Sequence, residues 1–490
     1  MAEVVISTAA TSLDELVAVA RGAQVSVGPD AVATIEASRR VVEAALQGDE
    51  PVYGLNTLIG HARDERVPVE AIRAFQPQLV AMHAGGMGDP LPTDVVRAAM
   101  AARLVGIARG GSGASLGLAQ ALVGLLNVGI TPRVPSVASV GAGDLSQHAA
   151  VGLALLGVGD VEVGERVVPA ADALQEAGLG PVELEPKDGL AVISANGFAI
   201  GHAALVLERV GRVLDVADTV AAVTMDASHA NPSIVDPAAM AAKGLAGQTV
   251  SAARIRERLS GTSRVAVSVQ DPLTIRVIPQ VHGAAREVAA VAAQAVETEL
   301  NAAADNPLSS IEAGRLISNG NFHPMLLALA VDAIRPALAH VGQLSERRSD
   351  RLWNGLVSQV SQGEVPALAD PAVRAALGLR YPIAARATRL RQLAAPVTLD
   401  VGSLDLSQED HATNAPEAVA RTGEAVDVLV DVLTVELLLA RATLQMVPEP
   451  AAAPGTRDAV AAVDAILAGV PDTAAIQHAL AEAVSDGRLG

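Results

Sequence analysis

From about residue 200 onward, apolar positions recur at helical spacing. Val206, Val210, Val213, Ala217 and Val220 alternate four- and three-residue steps, which is one stripe of a helix. Val288, Val291 and Ala295 repeat the pattern, as do Val426, Leu429, Leu433, Leu437 and Ala440. Each stripe predicts a long helix with a core-facing side, and together they predict a bundle with short connections. Pro336 falls inside the predicted helix near Met325–Arg348 and should kink it by removing one backbone hydrogen bond. The first 200 residues read differently. Glycines cluster at Gly85-Gly-Met-Gly88, Gly110-Gly-Ser-Gly113 and Gly141-Ala-Gly143, which predicts loops and shorter helices around a site. Val161–Val168 can form a short hairpin through Gly164. The expected fold is mainly α: a long antiparallel helical bundle with a loop-rich N-terminal region. Along the chain this gives a glycine-rich region over 1–200, a long-helix bundle over 201–447 and a tail over 448–490. The tail follows Pro448-Glu-Pro450 and predicts one or two amphipathic turns. No internal repeat is evident.

Composition makes the core aliphatic. Half of the 490 residues are hydrophobic, yet only Trp353, Tyr53, Tyr381, Phe75, Phe198 and Phe322 are aromatic. Ala, Val and Leu must fill the interior, and Ala and Leu favour helix. With 35 basic and 54 acidic residues the formal charge is −19. Such a balance argues against broad binding to nucleic acid or an anionic membrane, which calls for a basic surface. The absence of cysteine excludes a disulfide scaffold, a thiolate metal site and a cysteine nucleophile. The N-terminus is not basic and leads into no long apolar run, and Leu116–Ile130 is shorter than the roughly 20 residues of a membrane helix. A cytoplasmic protein is expected.

Several catalytic patterns are absent or out of context. The closest two of the ten histidines, His323 and His340, are 17 residues apart, so no His-x-x-x-His zinc pair exists and no metal is expected. Gly111-Ser-Gly113 is a fragment of a dinucleotide fingerprint with no strand before it. Gly113-Ala-Ser-Leu-Gly117 matches a nucleophile-elbow string, but a glycine loop precedes it, so Ser115 reads as a helix-start residue.

Polar residues instead concentrate in five strings: Tyr53-Gly-Leu-Asn-Thr57, His83-Ala-Gly-Gly86, Gln270-Asp-Pro-Leu-Thr-Ile-Arg276, Asn319-Gly-Asn-Phe-His323 and Ser407-Gln-Glu-Asp-His411. A plain helical bundle does not need them for stability, so they mark a site. With Arg109-Gly-x-Ser-Gly113, Lys187-Asp-Gly-Leu190, Asp305-Asn-Pro307 and Leu344-Ser-Glu-Arg-Arg348 between them, the order resembles the histidine and aromatic amino-acid ammonia-lyase family over about residues 10–445. The resemblance implies the helical ammonia-lyase/fumarase-like fold, a homotetramer with sites built from several subunits, and a small amino-acid-like substrate. It implies removal of ammonia, or in aminomutases its transfer to the β carbon. It also implies a methylidene-imidazolone electrophile made from an internal Ala-Ser-Gly.

That last implication meets a departure. The family pattern Ser-Val-Gly-Ala-Ser-Gly-Asp-Leu reads here Ser139-Val-Gly-Ala142-Gly143-Asp144-Leu145, and Leu153-Ala-Leu-Leu-Gly157 returns to register if the serine is missing. Ala142, Gly143 and Asp144 form a degenerate cofactor turn with no hydroxyl to lose, so no such cofactor is expected. The family's second catalytic tyrosine is replaced by Leu273, and a glutamate by Met325. Either Ser194 or Asn196 takes the place of a family asparagine.

What remains resembles an acid–base site. By that resemblance Tyr53 is the base, His83 orients or polarises the substrate, and Glu409 partners the amine. Asn196, Gln270, Arg276, Phe322 and Gln408 bind substrate, with Arg276 on the carboxylate. An ordinary tyrosine is a poor base at neutral pH, so Tyr53 should be depressed by positive charge or hydrogen bonds. The Ala142–Asp144 turn should still offer backbone N–H donors as an anion hole. The expected function is an elimination, or its reverse, without the electrophile. The alternatives are a conventional ammonia-lyase or 2,3-aminomutase, and a silent homologue that binds an amino acid or scaffolds a complex.

Overall fold

The computed structural model describes residues 3–361, 368–399, 402–446, 452–470 and 472–490. The fold is mainly α. Before residue 197 the helices are short: Leu13–Ala20, Pro29–Ala45, Ile72–His83, Thr93–Ala108, Leu116–Val128, Leu145–Leu155, Ala170–Glu176 and Asp188–Ile193. After it come Gly197–Ala227, Ile278–Leu300, Ile334–Ser361 and Ala415–Met446, of 23 to 32 residues. Residues Asp160–Val163 and Arg166–Pro169 pair as the hairpin expected through Gly164, and Ile130–Pro132 adds a third strand. Ser115 starts the helix Leu116–Val128, its hydroxyl accepting from the Leu118 N–H at 3.2 Å.

By contacts the chain forms two compact units. One comprises Met1–Leu205, Ala293–Leu329 and Val397–Ala420; the other comprises Val206–Ala292, Ala330–Pro396 and Arg421–Gly490. In the second unit Val206, Val210, Val213, Ala217 and Val220 are all buried, as are Val426, Leu429, Leu433, Leu437 and Ala440. The third stripe fares differently. Ala295 is buried, but Val291 is 58% exposed, so its helix does not turn that stripe wholly inward. Asp218 meets His282 and Asp215 meets Arg286, so the partners climb in opposite directions and these helices run antiparallel. Arg348 and Glu436, both fully buried, pair at 2.6 and 2.9 Å, and Thr224 donates to the same carboxylate at 2.7 Å. Those extra hydrogen bonds let a buried charge pair persist.

Pro336 acts as expected, with a sharper result. The helix divides into Met325–Asp332 and Ile334–Ser361, and the break follows Asp332, the residue whose carbonyl a proline at 336 cannot satisfy. Leu116–Val128 is a short apolar helix, and the fold also contains two longer ones. Asp188–Ala227 and Met325–Gln359 contain windows of mean hydropathy 1.8 and 1.4, and 89% and 61% of those windows are buried within the fold. Their apolarity is that of core helices. The C-terminal tail is helical, as expected, but its helices Pro454–Leu467 and Thr473–Ser485 run longer than the one or two turns read from the pattern. Pro448-Glu-Pro450 lies outside the described residues.

Candidate active site

The loop carrying Tyr53 is stitched by its own polar side chains. Asn56 Oδ1 accepts from the Val52 N–H at 2.7 Å and its Nδ2 donates to the Glu50 carbonyl at 2.9 Å. Thr57 Oγ1 donates to the Leu58 carbonyl at 2.9 Å. Asn56 and Thr57 are thus buried and satisfied, so the loop is held without using the Tyr53 side chain. The Gly60 N–H donates to the Tyr53 phenol oxygen at 3.0 Å. Burial raises the phenol's pKa above its ordinary value; the Gly60 hydrogen bond opposes this, the Glu409 and Asp405 charges add to it, and Arg63 opposes it. The expectation of a depressed tyrosine is therefore reversed in the free chain. Burial is the main cause of the rise, and the two carboxylates add to it against the hydrogen bond and the arginine.

Glu409 sits at the end of a tight loop. Its N–H donates to the Leu404 carbonyl at 3.2 Å and the Leu404 N–H returns the bond at 2.7 Å. Burial raises the Glu409 pKa, the Asp405 charge adds to this, and His83 opposes it. Gln408 is exposed and donates its N–H to the Asp405 carbonyl at 3.0 Å. His83 ends the helix Ile72–His83, and its Nδ1 lies 2.8 Å from the Leu79 carbonyl. That fixes Nδ1 as donor and leaves Nε2 for other partners. His61 and Asp405 were missed by the sequence reading: His61 Nδ1 is 2.5 Å from Asp405 Oδ1, and the His61 N–H donates to Oδ2 at 2.8 Å. Each lies next to a recognised string, but only the fold joins them.

The degenerate turn is closed on itself. Gly143 adopts φ +80°, and its N–H donates to Asn196 Oδ1 at 3.2 Å. The Asp144 N–H donates to the Ala195 carbonyl at 2.7 Å. These two amides are taken, so neither Gly143 nor Asp144 is free to serve the anion hole expected of the Ala142–Asp144 turn. Ser139 Oγ donates to Asp144 Oδ1 at 2.8 Å, and the Ala199 N–H donates to Oδ2 at 3.0 Å. Even so, full burial raises Asp144 to about 6. Asn196 rather than Ser194 bonds the turn, and its Nδ2 donates to the Phe322 carbonyl at 2.7 Å. Next to Phe322, His323 Nε2 lies 3.0 Å from His411 Nδ1, joining two strings 88 residues apart. Burial, then the His411 charge, lowers the His323 pKa.

Tyr53, His83, Asn196, Phe322, Gln408, Glu409 and the turn all belong to the first unit. Gln270 and Arg276 belong to the second. Gln270 is exposed, its N–H donating to Ser268 Oγ at 3.2 Å. Arg276 ends the short helix Leu273–Arg276, and its Nε is buried with no hydrogen-bond partner among the described residues.

Other strings are structural. Lys187 is fully buried and donates to the Ser112 carbonyl. Arg103 grips Asp305 at 2.9 and 3.2 Å, and Arg109 donates to the carbonyls of Ser7, Thr8 and Ala9. Among the described residues no three His, Asp or Glu side chains are grouped to hold a metal.

The aromatic amino acid lyase family model matches residues 11–465. The chain belongs to this family. It is 36% identical over 491 residues to a histidine ammonia-lyase of Symbiobacterium thermophilum, covering 98% of this chain and 96% of the relative. A probable histidine ammonia-lyase of Halobacterium salinarum is 39% identical over 440 residues, covering 86% and 83%. Among solved structures, the tyrosine aminomutase of Streptomyces globisporus is similar with a TM-score of 0.90 and 26% identity, covering 100% of this chain and 98% of that one. The histidine ammonia-lyase of Trypanosoma cruzi gives 0.88 and 25%, covering 100% and 94%. This lyase family membership makes the chain an enzyme of the ammonia-lyase type.

Proposed function

We propose that the chain eliminates an amine from an amino-acid-like substrate, or adds one in reverse, by proton transfer at Tyr53 and without a methylidene-imidazolone. One observation carries this reading. The Ala142-Gly143-Asp144 turn contains no hydroxyl and its Gly143 and Asp144 amides are already bonded, while Tyr53 and Glu409 remain within reach of each other's charge. The residues present do not fit the family's cofactor, so no step runs through it.

In this reading Arg276 anchors the substrate carboxylate, a task suited to a planar guanidinium. Glu409 receives the substrate's ammonium group. As a carboxylate it holds that group in place, and the group takes the C–N bonding pair and leaves as neutral ammonia with the protons it already carries. Tyr53 removes the proton from the neighbouring carbon. The free protein disfavours the phenolate chiefly because the phenol is buried, and the charges of Glu409 and Asp405 add to this. An arriving ammonium cancels part of that negative charge, so substrate binding itself eases the loss of the phenol proton. Each positioned acid or base contributes a factor of about 100 to 10,000. Such a site suits a substrate with an acidic C–H or a good leaving group better than phenylalanine. Assembly as a homotetramer belongs to the same reading and is checked by light scattering.

Histidine is the first substrate to test, because the relatives named above are histidine ammonia-lyases. Turnover should survive borohydride, which destroys the family's electrophile, and should disappear in Tyr53→Phe with the fold intact. Turnover bleached by borohydride overturns the cofactor-free reading. Turnover retained in Tyr53→Phe overturns the role of the tyrosine.

A further inference from the structure

Between Tyr53 and Glu409 lies a contact that neither string contains. Asp405 is reached by two groups of His61, the ring Nδ1 at 2.5 Å from Oδ1 and the backbone N–H at 2.8 Å from Oδ2. This approach depends on Gly60, which has φ +62°; a Cβ there would stand 2.3 Å from Asp405 Oδ2. Gly60 is also the residue whose N–H donates to the Tyr53 phenol. One carboxylate therefore holds the peptide adjoining the amide that fixes the phenol.

The other end of the contact is strained. Asp405, Leu406 and Ser407 adopt φ of +47°, +53° and +67°, three consecutive residues with side chains in the left-handed region. Such runs are disfavoured and persist only where surrounding bonds impose them. Leu406 is 84% exposed, so burying its side chain does not compensate. The restraints are the Asp405–His61 bonds, the Gln408 N–H on the Asp405 carbonyl and the paired Leu404–Glu409 backbone. The strained run directly precedes Gln408 and Glu409, so whatever pins Asp405 also sets where Glu409 stands.

We propose that His61 and Asp405 are positioning residues: their two bonds clamp the Tyr53 loop to the Glu409 loop and so set the Asp405 carboxylate beside the amide that holds the Tyr53 phenol. The inference rests on the reading of Tyr53 as the proton-transfer group. The charged groups around the phenol are Glu409, Asp405 and Arg63, with His61 on Asp405 and His83 beside Glu409. Both carboxylates push the phenol the same way.

The sequence makes a direct test possible, because the chain has two tyrosines. Tyr381 is 82% exposed, and Tyr381→Phe leaves Tyr53 as the single tyrosine. Its ionisation can then be followed by phenolate absorbance in the full-length protein. In that background Asp405→Asn should lower the titration midpoint by about half to one pH unit, since one nearby anion is removed while an acceptor for the His61 N–H remains. Asparagine also tolerates the left-handed backbone at 405. If that variant folds poorly, Asp405→Gly removes the same charge and relieves the φ, but also frees the peptide beside the Gly60 amide, so it should lower the midpoint by less than the loss of charge alone. Asp64→Asn, whose carboxyl is 91% exposed in the same loop, should leave the midpoint unchanged. An unchanged midpoint in the folded Asp405 variant overturns the clamp. Activity retained in Tyr53→Phe while Asp405→Asn still moves the midpoint instead removes the catalytic reading and leaves the clamp standing.

Discussion

At the scale of single residues, the chemistry of this site is set by carboxyls that are held away from water. Asp144 is completely buried beneath the turn, and burial raises it from 3.8 to about 6 despite bonds from Ser139 and Ala199. The folded protein therefore holds this proton more tightly than the unfolded chain. Below about pH 4 both states are protonated and the group is neutral in effect. As pH rises from about 4 to about 6 the unfolded chain ionises first, so stability falls, by roughly 3 kcal/mol for a shift of this size. Asp144→Asn removes the titration and keeps an acceptor for Ala199. Denaturant unfolding at pH 4 and pH 7 should show a flatter dependence in the variant. The same slope in both proteins would assign the loss to other groups.

At the scale of elements, burial rather than pattern decides what a substitution costs. Leu433 is fully buried in the helix Ala415–Met446, so Leu433→Ala should cost about 2–5 kcal/mol. Val291 belongs to a stripe of the same spacing but is 58% exposed, so Val291→Ser should stay within about 0.5 kcal/mol. Arg348→Ala leaves Glu436 buried without its partner and should cost about 3–5 kcal/mol. Thermal or denaturant melts of the three variants check the ranking, and a costly Val291 variant would contradict it. These contrasts show what the sequence could disclose. Periodicity announced the long helices, because one apolar face at helical spacing has few other uses. It could not say which helices bury that face completely. The Lys187 and Arg348 strings helped carry the family resemblance, and their charges are spent on Ser112 and Glu436. Motifs mark buried polar groups, and such groups serve structure as readily as chemistry. The His61–Asp405 contact was invisible for a different reason: its partners are 344 residues apart, and neither spacing nor composition links them.

At the scale of the whole molecule, the Ala142-Gly143-Asp144 turn, which carries no hydroxyl, is built into its surroundings at both ends. The Gly141 carbonyl accepts from Thr413 at 2.7 Å, and the Val140 carbonyl accepts from the Asn414 N–H at 2.8 Å. On the far side Gly143 and Asp144 are bonded to Asn196 and Ala195, immediately before the helix Leu145–Leu155. Stretches from three distant parts of the chain therefore agree on a turn of this length. An added residue would have to break one of these bonds or push the helix start, and buried amides are costly to leave unpaired. The surroundings thus fit a turn of this length, so adding a serine alone should not give the chemistry proposed to be absent. Insertion of serine after Ala142 should give a folded protein whose intact mass equals that of its sequence, with no water lost by cyclisation. A mass deficit of water together with borohydride-sensitive near-ultraviolet absorbance would show that the surroundings still permit the family's cofactor. The native chain, at 49.6 kDa, should likewise show no loss of water while it turns over substrate. Mass and turnover measured on one sample then separate a lyase that works through its own side chains from one that makes its electrophile by another route.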